Sequence, residues 1–183
     1  MNPKGFDVAI IGAGIVGLGT ALALTERYPR SPVVIVEKEE ELASHQTGHN
    51  SGVIHAGIYY RPGSYRTRLC VEGLRLLTAF CEANGVPYDR CGKVIVATSE
   101  AEIPRLEALY ERGRANGIEG LELIEPERLR EIEPHANAFR ALYSPNTGIV
   151  DFGEVAAAMA RVLAEREVQI YRKECVRAIK RSG

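Results

Sequence analysis

Gly12, Gly14 and Gly17 stand at the spacing G-x-G-x-x-G, between an apolar run at residues 7–11 and an Ala- and Leu-rich stretch from Ile15 onward. In that setting the first glycine permits a tight turn from strand to helix. The second lets the backbone come close to a pyrophosphate, and the third lets helix and strand pack closely. The start of the helix adds unpaired N–H groups and a partial positive charge facing the phosphates. Glu37 follows Gly17 by 20 residues, at the end of a second apolar run at 33–36. Its carboxylate can accept hydrogen bonds from ribose hydroxyls and would repel a 2′-phosphate, which disfavours NADP. The chemistry pointed to is dinucleotide binding, with FAD and NAD both open on these residues alone.

The elements that must position this turn follow from the hydrophobic pattern. Residues 7–11 read as a buried parallel strand, 15–26 as a helix and 33–36 as a second strand, which together make a βαβ unit. Residues 39–52 are polar and irregular, and 53–60 form an apolar and aromatic stretch. Residues 64–84 read as a helix in which Cys70, Leu74, Leu77 and Cys81 share a face and Gly85 suits the position just past the end. A strand is predicted at 93–98, followed by a capping box from Ser99 to Glu102 that starts a helix ending near Gly117. A short helix at 126–132 comes next. Phe139, Ala141 and Tyr143 alternate as in a half-buried strand. Asp151 and Glu154 cap a helix to about Glu165, and strands are predicted at 169–172 and 175–180. The fold class is therefore α/β: a Rossmann-like βαβ layer with an inserted, incomplete α+β domain. The expected boundaries are 1–87 for the first part of the nucleotide-binding domain, 88–150 for the insertion and 151–183 for the return.

Bulk features narrow the field further. The chain has 183 residues, 45% of them apolar and 26% charged, with a net charge of −1. This is ordinary for a globular protein and excludes a disordered tail, a collagen-like chain or a coiled coil. Nothing in the balance advertises nucleic acid. Cys70, Cys81, Cys91 and Cys175 form no C-x-x-C pair and have no histidine at ligand spacing, so no metal site is expected and the four read as reduced core thiols. Residues 8–25 carry no charge and Lys4 precedes them, which imitates a signal peptide. Asp7 and the interruptions at Gly12, Gly14, Gly17 and Gly19 argue for a cytoplasmic start instead.

Residues 45–60, HQTGHNSGVIHAGIYY, hold three of the four histidines. A simple NAD-binding domain has no need for such a loop. In this position it resembles the flavin-contacting loop of the FAD-dependent D-amino-acid-oxidase superfamily. With Pro62-Gly63-Ser64, Leu69-Cys70, Cys91-Gly92-Lys93 and Thr147-Gly148-Ile149-Val150, the match is to the L-2-hydroxyglutarate-oxidising branch, from Asp7 to about Val176. That resemblance implies FAD, with Gly12, Gly14, Gly17 and Glu37 holding its ADP half. Lys38, Thr47, Asn50, Ser51, Gly52, Val53 and Ile54 match positions near ribose, pyrophosphate or isoalloxazine, and Val176 one whose backbone contacts adenine. The implied reaction is oxidation of L-2-hydroxyglutarate to 2-oxoglutarate by hydride transfer to the flavin. A neutral imidazole suits removal of the hydroxyl proton, and His55 is the candidate base. Tyr60 and Arg61, with Tyr59, are candidates for the substrate pocket, Arg61 by pairing a carboxylate. His45 reads as capping the loop, His49 as structural or cofactor-facing, His135 as a surface residue and Lys93 as a solvated lysine.

The branch usually places glycines between the late helix and its following strand, whereas residues 164–168 contain none. Relatives also continue for about as many residues again, so the chain is expected to be the N-terminal half of its enzyme. The partners implied are a small 2-hydroxyacid and an electron acceptor. A quinone acceptor would imply peripheral contact with the inner face of the membrane. Two other readings stand beside this one: another oxidase of the superfamily, acting on an amino acid or glycerol 3-phosphate, and a non-catalytic nucleotide-binding fragment.

Overall fold

A computed structural model describes residues 5–181. Lys4, and Ser182 and Gly183 after the last predicted strand, lie outside the described residues. The elements in order are β1 (Val8–Ile11), α1 (Ile15–Arg27), β2 (Val33–Val36), β3 (Val53–Ile54), α2 (Tyr65–Asn84), β4 (Tyr88–Asp89), β5 (Lys93–Ala97), α3 (Ile103–Ala115), β6 (Glu122–Ile124), α4 (Pro126–Ile132), β7 (Arg140–Ser144), β8 (Gly148–Val150), α5 (Phe152–Glu165) and β9 (Gln169–Tyr171). They fall into two compact units, residues 1–52 with 151–183, and residues 53–150. The first break comes after Gly52, against the boundary at residue 87 expected from the pattern.

The first unit is built on a parallel sheet in the order β1-β2-β9, with Val8 opposite Val33 and Val34 opposite Gln169. Helices α1 and α5 pack on each other. Ala13, Leu18, Ala21, Val33, Ile35, Ala156, Leu163 and Val168 form the core. Removing side chains such as Leu18, Ile35 and Leu163 from water stabilises the unit by roughly 1.5–3 kcal/mol each. Asp151 caps α5, accepting from the N–H groups of Gly153 and Glu154.

The glycine-free turn after α5 has a definite solution. Arg166 ends the helix and donates to the Leu22 carbonyl at 3.1 Å and to Thr25 Oγ1 at 3.0 Å, tying α5 to α1. Glu167 then adopts a left-handed backbone, φ 62°, where an L side chain costs about 1–2 kcal/mol. Its side chain is exposed. Glu167→Gly is therefore expected to stabilise the protein by about 0.5–1 kcal/mol, less than the strain relieved because glycine also loosens the unfolded chain. Thermal unfolding of the two proteins checks this.

The predicted strand at 175–180 is not a strand. After β9 the chain follows the loop beyond β2: the Lys173 N–H donates to the Glu39 carbonyl and the Glu174 N–H to the Glu37 carbonyl. Residues 172–181 are all exposed, and residues 174–181 carry no regular structure. An apolar pattern makes a strand only where a ladder partner exists, and none pairs with this segment among the described residues.

The second unit holds two antiparallel sheets, β3-β8-β4 and β5-β7-β6. The Ser64 hydroxyl accepts from the Thr67 N–H at the start of α2, and Gly85 ends that helix at φ 67°. The alternation expected along β7 is absent. Phe139 is exposed, while Ala141 and its neighbour Leu142 are both fully buried. The strand is central in its sheet, and the two residues enter separate cores: Leu142 packs with Ala56, Ile58 and Leu106, and Ala141 with Ile124 and Leu129. The reciprocal capping box at Ser99 does not form either, because the Ser99 side chain makes no cap. Glu102 still reaches back across this start, accepting from the Thr98 N–H at 2.7 Å and the Thr98 hydroxyl at 2.9 Å. Of the four cysteines only Cys81 is buried; Cys70 is intermediate, and Cys91 and Cys175 are exposed. The expectation of four core thiols is corrected accordingly.

Candidate functional site

In the first unit the glycine turn and Glu37 are one construction. Gly12 takes φ 100° and donates its N–H to the Val36 carbonyl at 2.8 Å, binding the turn to the neighbouring strand. The Ala13 N–H donates to Glu37 Oε2 at 2.7 Å, and the Glu39 N–H to Oε1 at 2.9 Å. Glu37 is thus a brace between the turn and the loop after β2, and only 9% of its surface is exposed. Desolvation pushes its carboxyl upward, but backbone N–H groups of Ala13, Glu39 and Lys38 outweigh that and hold its pKa below the ordinary value. A carboxylate offers about four lone-pair sites, so acceptor capacity remains after these bonds.

The sign of that shift gives a pH dependence. A lowered folded pKa means that the Glu37 brace contributes in full above the ordinary glutamate value of 4.5, and that its contribution fades as pH falls through the lower folded value. Glu37→Gln turns an NH2 group toward backbone donors and is expected to cost about 1–3 kcal/mol at pH 7. The gap to the parent should narrow in unfolding curves recorded below pH 4.5. A gap independent of pH would refute the ionised brace.

Gly14 is the N-cap of α1 and makes no side-chain cap. The Ile15 N–H is taken instead by Thr47 Oγ1 at 3.0 Å, reaching in from the polar loop. A Cβ on Gly14 would stand 3.2 Å from that hydroxyl. The other first-turn amides have no intrahelical acceptor. A Cβ on Gly17 would run into the Gly12 carbonyl oxygen, which is backbone and cannot step aside.

A cavity of about 350 Å³ opens over this turn, lined by Gly12, Gly14, Glu37, Lys38, Thr47 and Val176 of the predicted set, together with Ile11, Val36, Ala43, Ser44, His45, Glu174 and Cys175. At its rim Glu39 Oε1 meets His45 Nε2 at 2.9 Å and Lys38 Nζ at 3.1 Å. Those two partners, His45 first, hold the Glu39 carboxyl below its ordinary value. The donor set fits the ADP half of a dinucleotide. It combines side-chain-free backbone at Gly12 and Gly14, a helix start with open amides, an acceptor carboxylate for hydroxyls, and apolar walls at Ile11, Ala43 and Val176.

Other predicted residues lie apart from this cavity. Gly17 serves the packing of the turn. The Asn50 side chain donates to the Gln46 and Thr47 carbonyls and accepts from the Gly52 N–H, folding its own loop. Ser51 is exposed and Gly52 takes φ 69°. Val53 and Ile54 form β3 of the second unit, where His55, Tyr60 and Arg61 also belong.

In that second unit, the loop after β3 is held by its carbonyls. Cys70 Sγ donates to the His55 carbonyl at 3.2 Å. Asn116, just past α3, donates through Nδ2 to the Gly57 and Tyr60 carbonyls at 2.9 Å each, and Arg112 donates to the Tyr59 carbonyl at 3.3 Å. The Lys93 ammonium lies 4.5 Å from the centroid of the Tyr59 ring. Partial desolvation of the His55 imidazole, and then the Lys93 charge, lower its pKa. Arg61 is exposed and forms no ion pair among the described residues. Lys93 is half-buried, which corrects its reading as a solvated lysine: its head sits on an aromatic face. Asn116 and Arg112 were not legible in advance. Asn116-Gly117 reads as an ordinary helix end, and no local signal announces a partner 59 residues away. His45 in the cavity wall was hidden by its place in a polar loop.

A parallel βαβ layer with a glycine turn, a free helix start and an acid after the second strand defines a dinucleotide-binding unit of the Rossmann kind. The family described as FAD dependent oxidoreductase matches residues 7–183, and the chain belongs to it. FAD is the cofactor of that family. The chain is 51% identical to human mitochondrial L-2-hydroxyglutarate dehydrogenase over 164 residues, covering 90% of this chain and 35% of the relative. It is 50% identical to the L-2-hydroxyglutarate dehydrogenase of an Escherichia coli strain over 165 residues, with 90% and 39% covered. Among solved structures it is similar to FAD-bound L-alpha-glycerophosphate oxidase from Mycoplasma pneumoniae, with TM-score 0.86, 30% identity, and 93% of this chain and 45% of that one covered. It is also similar to glycine oxidase from Geobacillus kaustophilus, with TM-score 0.79, 27% identity, and 92% and 46% covered. The chain thus spans less than half the length of each of these relatives. No helix among the described residues is long and apolar enough to cross a membrane.

Proposed function

We propose that this chain is the part of an FAD-dependent 2-hydroxyacid oxidoreductase that carries the ADP-binding turn and the catalytic base, acting on L-2-hydroxyglutarate to give 2-oxoglutarate. The observation that supports this best is His55: an imidazole biased toward its neutral form by partial desolvation and by Lys93, on a loop fixed by Asn116 and Arg112. Gly12, Gly14, Glu37, Lys38, Thr47 and Val176 hold the ADP half of FAD, with Gly17 packing the turn behind them, and Asn50, Ser51, Gly52, Val53 and Ile54 match the flavin-side positions of the family. When bound, FAD supplies the two-electron acceptor for a hydride leaving the α-carbon. His55 takes the hydroxyl proton on its neutral ring nitrogen, and the guanidinium of Arg61 orients a carboxylate, with Tyr60 beside it. The enzyme works in the cytoplasm and passes its electrons to a separate acceptor, a quinone being one candidate.

The test is an anaerobic substrate panel on the complete flavin-loaded protein. L-2-hydroxyglutarate should bleach the flavin, with its D enantiomer, glycerol 3-phosphate, glycine and other amino acids inert. The likeness to glycerophosphate and glycine oxidases favours a second reading, another oxidase of this family. Bleaching by one of those substrates in place of L-2-hydroxyglutarate would select it, and a protein that holds no flavin would select a non-catalytic fragment.

A further inference from the structure

The second unit gathers positive charge around the His55 loop without balancing it. Lys93, Arg61 and Arg112 stand on or against residues 55–61, and none forms an ion pair among the described residues. Arg112 is engaged with the Tyr59 carbonyl, and Arg61 is exposed. Lys93 differs from both, being half-buried at the start of β5 with its ammonium on the Tyr59 ring face. A ring quadrupole fixes the position of a cation and offsets part of its lost hydration, but it supplies no counter-charge. An ammonium fixed on a ring face and without a carboxylate partner is open to an anion. Lys93 stands against Tyr59 on the loop that carries the proposed base, and its charge is felt at His55.

We propose that Lys93 is a specificity-determining residue: its ammonium, held on the face of Tyr59, seats the distal carboxylate of a dicarboxylic 2-hydroxyacid oxidised beside His55. The inference rests on the substrate reading above and deepens it. A 2-hydroxy diacid brings two carboxylates, and a single guanidinium at Arg61 serves one of them. The planar fork of arginine suits the carboxylate that must be oriented next to the reacting carbon. A point charge with no directional demand suits the second, at the end of a flexible chain.

Glutarate and butyrate, which differ by one terminal carboxylate and both lack the oxidisable hydroxyl, separate the two seats. Their dissociation constants are read from the perturbation of flavin absorbance in the complete flavin-loaded protein. Lys93→Gln should weaken glutarate at least tenfold and butyrate less than twofold, with flavin content unchanged. Lys93→Arg should recover most of the preference. Equal weakening of both acids, or no weakening of glutarate, overturns the assignment. If Lys93→Gln fails to fold with flavin, Lys93→Met takes its place. Failure of both neutral variants makes the ammonium part of the scaffold and also overturns it. A parent protein that oxidises glycerol 3-phosphate or an amino acid in place of L-2-hydroxyglutarate removes the reading underneath. A parent that oxidises L-2-hydroxyglutarate, with glutarate binding unchanged in Lys93→Gln, removes the Lys93 assignment alone.

Discussion

His55→Ala is expected to slow flavin reduction by L-2-hydroxyglutarate by about 10²–10⁴-fold, the usual contribution of a positioned base. The reason lies in the protonation state as much as in the place. Partial desolvation and the Lys93 charge both disfavour the imidazolium, so the folded pKa lies below the ordinary histidine value. The neutral, proton-accepting form therefore predominates at neutral pH. In the parent protein kcat/KM should rise with pH through that lowered value and then level off, and the acid limb should vanish in the variant. His55→Gln keeps a polar side chain of similar reach without a basic nitrogen and should be as slow as alanine. Stopped-flow reduction in the absence of oxygen measures the chemical step directly. Variants that reduce at the parent rate, with the same pH profile, would remove His55 from the mechanism.

Gly17→Val is expected to abolish flavin retention and to destabilise the first unit by at least about 3 kcal/mol, beyond the usual range for an overfilled core. The obstacle is a carbonyl oxygen of the turn itself: any Cβ at residue 17 meets Gly12 O. Relief requires moving the peptide whose neighbours bond to Val36 and Glu37, and that movement takes the phosphate-facing amides with it. Gly17→Ala should show the same loss in milder form. Gly19, two residues on in the same helix, is the control. A Cβ there has nothing within 4 Å, so Gly19→Ala should keep the flavin and raise stability by about 0.5–1 kcal/mol, the ordinary gain in a helix interior. Flavin content after purification, with a thermal melt, reads both. Retention of flavin in Gly17→Val would mean that the turn yields where the geometry says it cannot.

Local rules reached far into this molecule. Strands β1 and β2, helices α1 and α4 and the caps of α2 and α5 stood close to where periodicity and end signals put them, because each is determined by residues within a few positions of itself. Partnership at a distance was less legible. The run at 175–180 has a strand's composition but no ladder partner among the described residues. Ala141 and Leu142 are buried side by side because β7 is central, which its own residues do not say. The Gly12–Glu37 relation was readable because its spacing is fixed by the βαβ unit that contains it. The clamp of Asn116 on the Gly57 and Tyr60 carbonyls was not, since it depends on where α3 ends in space. The half-buried state of Lys93 likewise depends on Tyr59, 34 residues earlier in the chain.

The wall of the dinucleotide cavity formed by residues 174–176 follows β9 on a few surface bonds among the described residues: the amides of Lys173 and Glu174, and the side chains of Arg172 and Lys173 on Glu40. Segments secured by so few bonds open with far less free energy than the core they border. A ligand against Glu37 and Val176 would raise the cost of that opening by mass action. Susceptibility of the Arg172-Lys173 peptide to trypsin thereby becomes a gauge of cofactor occupancy, and the emptied protein is the form most exposed to degradation.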